Sequence, residues 1–315
     1  LVKSFSALRQ ESPGFLTEER LVFSTQLPLE RYGSPDRIRA FQREALDRVE
    51  ALPGGESVGV TSLVPITGAD EVYPISFEGR SPEISTGVSA LLYRVSGGFL
   101  EAMGIPLLAG REIGPQDRGG GTAVALVTQS FSDRNFPGES PLGQRIRFGG
   151  NPAWAEIVGV VGDVQHYQVG QESLAQIYVP FDQEPTRQIH FVLKASLPPA
   201  RMVQSLREAI RQVDPEQPLA DIRPADELVS QSISLSRFRT ILMTGFGLTA
   251  LVLALVGLCG IVACDVSRRS REIGIRMALG ADGSSILQLI LKEGLSMVGA
   301  GLGLGVAAAF GLSGL

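Results

Sequence analysis

TILMTGFGLTALVLALVGLCGIVACDVSRRSREIGIRMALGA, residues Thr240–Ala281, decides how the rest of the chain must be arranged. Its first 25 residues, Thr240–Cys264, carry no charge. At a rise of about 1.5 Å per residue that run reaches roughly 37 Å, enough to cross a hydrocarbon core of about 30 Å with some tilt. Asp265 ends it, and Arg268, Arg269, Arg271 and Arg276 follow. A second uncharged run, Gly294–Leu315, continues from there. The pattern predicts a crossing, a short basic loop and a second crossing, with everything before Thr240 on one face of a membrane and Asp265–Glu293 on the other. Only short flanking segments vote on orientation. Four arginines in the loop against Arg237 and Arg239 before the first crossing put the loop in the cytoplasm and the large domain outside it.

The chain has 315 residues, of which 44% are hydrophobic, and the apolar runs are concentrated near its end. The preceding part has the composition of an ordinary water-soluble domain. A net charge of −5 gives no reason to expect nucleic acid. The two cysteines, Cys259 and Cys264, lie five apart in the first apolar run, where a helix turns them about 140° away from each other. They are expected to be packing residues, neither a disulfide nor metal ligands. Leu1 and Leu315 both look like cut ends of a longer membrane protein.

Before the membrane, LVFSTQL (Leu21–Leu27) alternates as a strand. Ser34-Pro35-Asp36 is a helix start, followed by an apolar stripe at Ile38, Phe41, Ala45, Val49 and Leu52. Strands are expected at Ser57–Val64, Val72–Glu78, Val88–Val95, Ala123–Thr128, Gln144–Phe148, Glu156–Val161, Gln176–Val179, Ile189–Ala195 and Leu219–Ile222. Short helices are expected at Ser96–Met103, Gln129–Asn135 and Pro224–Ser232. A longer one after Pro198-Pro199 would bury Ala200, Val203, Leu206, Ile210 and Val213. Strand–helix–strand thus occurs near both ends of the domain, which predicts one α/β layer with the β-rich middle, roughly Glu83–Pro185, inserted in it.

No catalytic, cofactor-binding or metal constellation stands out. Gly119-Gly120-Gly121-Thr122 lacks the lysine of a phosphate-binding loop. The glycines of Gly159-Val160-Val161-Gly162 fit a strand end facing close neighbours. His166 and His190 have neither zinc spacing nor a nucleophile motif beside them. Gly299, Gly301, Gly303 and Gly305, with Gly257 and Gly260 in the first crossing, have the small-residue spacing that lets membrane helices approach closely. That packing fits one protomer or a dimer equally. RRSREIGIRMALGA (Arg268–Ala281) is either a plain basic anchor or a kinked amphipathic element that docks another protein.

REIGIRMALGA (Arg271–Ala281), placed directly after a membrane helix, strongly resembles the signature of MacB/FtsX-type ABC transporter permeases. SGGFLEAMGIPLLAGR (Ser96–Arg111), FPGESPLGQRI (Phe136–Ile146) and IVGVVGDV (Ile157–Val164) resemble the periplasmic core domain of that family, in order and at its spacing. Ser4–Leu8 with Pro13-Gly14-Phe15 is similar to the segment just after the first membrane helix in the duplicated orphan permeases of the group.

The resemblance implies an α+β extracytoplasmic domain, a βαβ-type porter layer with an inserted β-rich sabre subdomain, followed by α-helical transmembrane segments. Residues 1–19 would follow a first membrane helix that precedes Leu1, and a last helix would lie beyond Leu315. The periplasmic core would span 20–235, with porter at 20–82 and 186–231 and sabre at 83–185. Membrane helices at 240–264 and 294–315, the latter truncated, would flank a cytoplasmic coupling loop at 265–293. In that loop Arg271, Glu272, Ile273, Gly274, Ile275, Arg276, Met277, Ala278, Leu279, Gly280 and Ala281 would meet an ABC ATPase subunit.

The implied function is that of a non-enzymatic permease subunit in the inner membrane, with residues 1–236 periplasmic. It would couple cytoplasmic ATP hydrolysis to movement of the periplasmic domain for export or efflux. Its partners would be the ATPase, a second permease unit (a homodimer or the other half of one polypeptide) and the lipid bilayer. The alternative is a non-transporting FtsX-like scaffold that regulates an envelope partner such as a cell-wall hydrolase. A membrane-tethered enzyme is the third reading and has least support in the residues.

Overall fold

The computed structural model describes residues 14–65, 71–80, 87–149, 151–166 and 175–268, with Ser270, Arg271, Ile275, Gly301 and Gly305 beyond them. The chain divides into two compact units, Leu1–Ser236 and Arg237–Leu315.

The first unit begins with β1 (Arg20–Gln26), α1 (Pro35–Glu50) and β2 (Gly55–Thr61). Next come β3 (Val72–Phe77), β4 (Ser89–Val95), α2 (Phe99–Met103), β5 (Leu107–Gly110) and β6 (Val124–Thr128). Then come α3 (Gln129–Asn135), β7 (Arg145–Phe148), β8 (Ala155–Val161), β9 (Gln176–Pro180), β10 (Gln188–Ala195), α4 (Pro199–Val213) and β11 (Ala220–Pro224). The last described helix, α5, is Ala225–Arg268.

One lobe takes its strands from both ends of the domain, in the order β11-β1-β10-β2. β10 runs antiparallel to both β1 and β2, and β11 antiparallel to β1. Each strand–helix–strand unit therefore has a strand of the other between its own two strands, a pair of interleaved split βαβ units. The side-chain period of two explains the burial. Leu21 and Phe23 of β1 and Phe191 and Leu193 of β10 turn to the helix side, with Ile38, Phe41, Ala45 and Val49 of α1 and Met202, Leu206 and Ile210 of α4. Phe23 and Phe191 are register partners and their rings stack 4.9 Å apart. Val22 and Val192 turn to the opposite face.

α1 starts where the sequence places it. Pro35 presets the first helical φ, and Asp36 in the first turn pairs with Arg39 at 2.7 Å, although the Ser34 side chain makes no capping bond. The stripe on α4 keeps Leu206 and Ile210, with Val213 packed against the same cluster, and departs from expectation at its start. Met202, Leu206, Ala209 and Ile210 are buried, while Ala200 is exposed and Val203 half-buried.

The middle of the chain forms a ring. β4 pairs β3, β3 pairs β7, β7 pairs β8, β8 pairs β6, β6 pairs β9, and β9 returns to β4. The β4–β9 and β6–β8 pairs are parallel and the others antiparallel. Closure removes the strand edges that an open sheet would present. A separate apolar cluster from these strands contains Ile75, Phe77, Leu92, Val127, Ile146, Phe148, Ile157 and Ile177, with Phe131 and Phe136 joining from α3 and the turn after it. β5 lies outside the ring as an edge strand on β8.

The ring joins the first lobe through a single β2–β4 pair, Thr61 with Val95. A third cluster brings Val22 and Val192 together with Tyr93, Leu126, Val161 and Tyr178 of the ring strands, and with Phe99, Leu100 and Met103 of α2. Gly59 is required here. A Cβ on it would lie 2.4 Å from the Phe99 Cα, so α2 can sit on β2 only because that side chain is absent. Gly104, at φ +68°, closes α2 in the left-handed conformation. The domain is thus α+β, with a split-βαβ lobe and a β-rich lobe from the middle of the chain, followed by a helix long enough to cross a membrane.

Candidate functional site

The helix that reaches the membrane begins inside the domain. Pro224 ends β11, and α5 opens at Ala225 with Asp226 and Glu227 in its first turn, where acids suit the positive end of the helix dipole. Ala225 and Leu228 are buried in the cluster shared by the two lobes, and Val229 packs against it. The short helix expected at Pro224–Ser232 does not stop there. Its first turns are the first turns of the long α5.

Farther along α5, Ile241–Ile261 is the one stretch among the described residues that is long and apolar enough to span a membrane. None of it is buried, and Ile241, Met243, Phe246, Leu253 and Val256 are all well exposed. A helix that is apolar all round and unpacked by protein has lipid as its natural solvent. Cys259 and Cys264 are unpaired and exposed.

Of the glycines expected to pack helices, Gly257, Gly260, Gly301 and Gly305 have open space where a Cβ would sit. Gly299 and Gly303 lie outside the described residues. Within Arg271–Ala281, expected from the sequence to be a coupling segment, Arg271 and Ile275 are helical and exposed. The rest of that segment, Glu272–Gly274 and Arg276–Ala281, also lies outside them.

Several charged groups buried in the domain are held by local partners. The Arg20 guanidinium, almost fully buried, donates to the carbonyls of Ala102 at 2.7 Å and Glu18 at 2.7 Å, fastening β1 to the end of α2. Burial lowers its pKa against the pull of nearby Glu19, Glu56 and Glu18. Asp117 accepts from Arg111 at 2.8 and 2.9 Å and from the Gly114 N–H at 2.9 Å. Burial pushes its pKa up, but these bonds outweigh it and hold the carboxyl below its usual range. Asp214 takes bonds from Tyr32, Arg31 and the Glu216 N–H and is likewise held low against its burial.

His166 is buried and hydrogen-bonded through Nδ1 to the Tyr93 hydroxyl. His190 sits inside β10, and burial lowers its pKa from 6.5 to about 4. Both histidines belong to the structure of the domain. Among the described residues no group of three His, Cys, Asp or Glu is placed to hold a metal ion. In the exposed loop Gly119–Thr122 a Cβ on Gly119 would meet the Asp182 carbonyl oxygen at 2.8 Å and the Arg39 guanidinium at 3.0 Å, while Gly120 has open space around it. Gly159 faces the Arg111 carbonyl oxygen at a would-be 2.5 Å, the close neighbour its strand position called for.

A cleft of about 490 Å³ opens beside α1, between β2 and the loops around Gly97, Pro115 and Asp182. No stretch of sequence announces it, because its walls come from distant segments.

Two family models match the chain. One describes a MacB-like periplasmic core domain and covers residues 10–213. The other describes an FtsX-like permease C-terminal segment and covers residues 244–315. The chain is 27% identical over 274 residues to the probable syringafactin export ATP-binding/permease protein SyfD of Pseudomonas syringae pv. tomato, covering 84% of this chain and 40% of that protein. It is 25% identical over 327 residues to the probable export ATP-binding/permease protein MacB of Pseudomonas entomophila, covering 99% of this chain and 47% of the relative. It therefore spans less than half the length of these relatives. The periplasmic region of MacB from Actinobacillus actinomycetemcomitans aligns with 72% of this chain and 98% of its own, at 16% identity and a TM-score of 0.48.

Proposed function

From a chain that belongs to the MacB/FtsX-type permeases, comprising their periplasmic core domain and the start of their membrane part, we propose a permease subunit of an ABC exporter in the cell inner membrane. Residues 1–236 would be periplasmic. An ABC ATPase would act from the cytoplasm, and a second permease unit would complete the assembly within the lipid bilayer. The core would divide into porter (20–82 and 186–231) and sabre (83–185) parts, and 294–315 would return the chain across the membrane.

The observation that carries this reading is α5. It starts buried between the two lobes and includes the whole apolar span in one helix. A helix transmits displacement along its axis better than a loop does, because each turn is bonded to the next. Movement imposed at the cytoplasmic end would reach Ala225 and Leu228, and through them both lobes. The imposed movement would come from the ATPase docking on Arg271–Ala281, with the glycines at 257, 260, 299, 301, 303 and 305 packing the helices that move.

The test is charge reversal, Arg271→Glu with Arg276→Glu, in chain reconstituted with its ATPase. Membrane insertion should be unchanged, and stimulation of ATP hydrolysis by the permease should be lost. Stimulation that survives both reversals overturns the docking role. Capture of a cell-wall hydrolase by the outer domain, with no transport, would replace the exporter with a regulatory scaffold.

A further inference from the structure

The chain passes between the two lobes twice, once after β2 and once between β9 and β10. A lobe inserted by two crossings can swing if those crossings can bend, since a hinge is a few loop residues that absorb the φ/ψ change. Here both crossings are held.

In the first crossing the Ser62 N–H donates to the Arg94 carbonyl at 2.9 Å, and the Arg94 N–H donates back to Ser62 Oγ at 3.1 Å. Leu63 and Val64 then enter the apolar cluster that the lobes share. In the second, four consecutive residues are tied, two to each lobe. Phe181 is buried in the first lobe, among the side chains of α1 and the strands beneath it. Asp182 accepts from Arg39 through its carbonyl at 2.6 Å and from Arg43 through its carboxylate at 2.6 Å, both arginines on α1. Gln183 turns to the ring, accepting from the Val124 N–H at 3.3 Å and donating to the Thr122 carbonyl at 2.9 Å. Glu184 pairs with Arg94 of β4 at 3.4 Å and accepts from the Asn151 amide.

Bending Phe181–Glu184 either way breaks bonds to one lobe. Swinging the ring away would also open the shared cluster, on the other face of the first sheet, to water. We infer that Phe181–Glu184 is a weld and no hinge, locking the two lobes into one body that α5 turns as a whole. The lock does not depend on the permease reading; only its use by α5 rests on that reading.

The test is the distance between spin labels on Arg134→Cys of α3 and Arg201→Cys of α4, both exposed positions, in the full chain in detergent with Cys259 and Cys264 changed to alanine. Arg37→Cys with Arg201→Cys, both in the first lobe, is the reference pair. The distribution across the lobes should be as narrow as the reference, and neither should shift when ATPase and ATP are added. Arg39→Ala with Arg43→Ala frees Asp182 from α1, and it should widen the cross-lobe distribution about twofold while leaving the reference unchanged. The inference is overturned by a parent cross-lobe distribution that is broader than the reference or has two peaks, by one that shifts with ATP, or by a double variant that stays as narrow as the parent. If the chain proves to be no permease, the measurement without ATPase still decides the lock.

Discussion

His190→Gln should make the domain less sensitive to acid. His190 lies in the middle of the first sheet, opposite Ser24 of β1 and Thr61 of β2. Burial lowers its pKa from 6.5 to about 4; Asp221 pulls the other way and Arg223 adds a smaller push down. The folded chain therefore refuses a proton that the unfolded chain accepts. Above pH 6.5 both forms are neutral and the group has no effect on stability. As pH falls from 6.5 through about 4 the unfolded chain gains protons alone, and stability is lost. At about 1.4 kcal/mol per pH unit the drop from 6.5 to about 4 is worth about 3 kcal/mol in full, of which about 2 kcal/mol is gone by about pH 5. The measurement is guanidinium unfolding followed by far-UV circular dichroism, for the parent chain and His190→Gln in the same detergent, at about pH 7.5 and about pH 5. Carboxylates titrate alike in both proteins and cancel in the double difference. The parent should lose about 2 kcal/mol more than the variant between the two pH values. A double difference under about 0.5 kcal/mol refutes the lowered pKa of the half-buried His190.

Gly59→Ala should destabilise the domain by about 1–3 kcal/mol, since the new Cβ would press on the Phe99 backbone, which has no rotamer to yield; a melting temperature within error of the parent would show that α2 can retreat freely. Arg20→Met keeps length but leaves the buried Ala102 carbonyl without its donor, and about 2 kcal/mol should be lost in the same unfolding measurement. Asp117 is held below its usual pKa, so its stabilising effect is present above about pH 4 and lost as pH falls below that; Asp117→Asn should abolish that part of the acid sensitivity, read from unfolding curves of parent and variant at about pH 5 and about pH 3. In intact cells a membrane-impermeant maleimide should miss Cys259, label a cysteine placed at exposed Leu142, and reach one placed at Arg271 only after permeabilisation. Equal labelling of Leu142→Cys and Arg271→Cys from outside would sink the assignment of the domain and the basic loop to opposite faces of a membrane.

What the sequence discloses depends on how local the determining physics is. β10 reads directly as a strand because apolar Ile189, Phe191, Leu193 and Ala195 alternate with His190, Val192 and Lys194, and it is bonded on both sides. α1 reads because Pro35 and the Ile38–Phe41–Ala45–Val49 stripe act within a few turns. β5 escapes because Leu107–Gly110 is an exposed edge of four residues without a core-facing period. The closed ring escapes because its parallel pairs join strands such as β4 and β9, some 85 residues apart, and pairing across such a distance leaves no periodic mark.

The continuity of α5 was open to inspection. The polar run of serines before Thr240 suggests a linker, yet from Ala225 to Thr244 there is no glycine or proline, and nothing therefore obliges the helix to stop. Absence of a breaker was the better guide there, since serine weakens a helix far less than glycine or proline does. The acidic cleft represents the opposite limit. Asp47 and Glu50 read as solvated residues of an amphipathic helix, and only the fold brings them into one cleft wall with Glu101. A contiguous stretch such as Arg271–Ala281 can be matched to a family signature as a string, whatever its role. A cleft whose walls come from distant segments has no string to recognise.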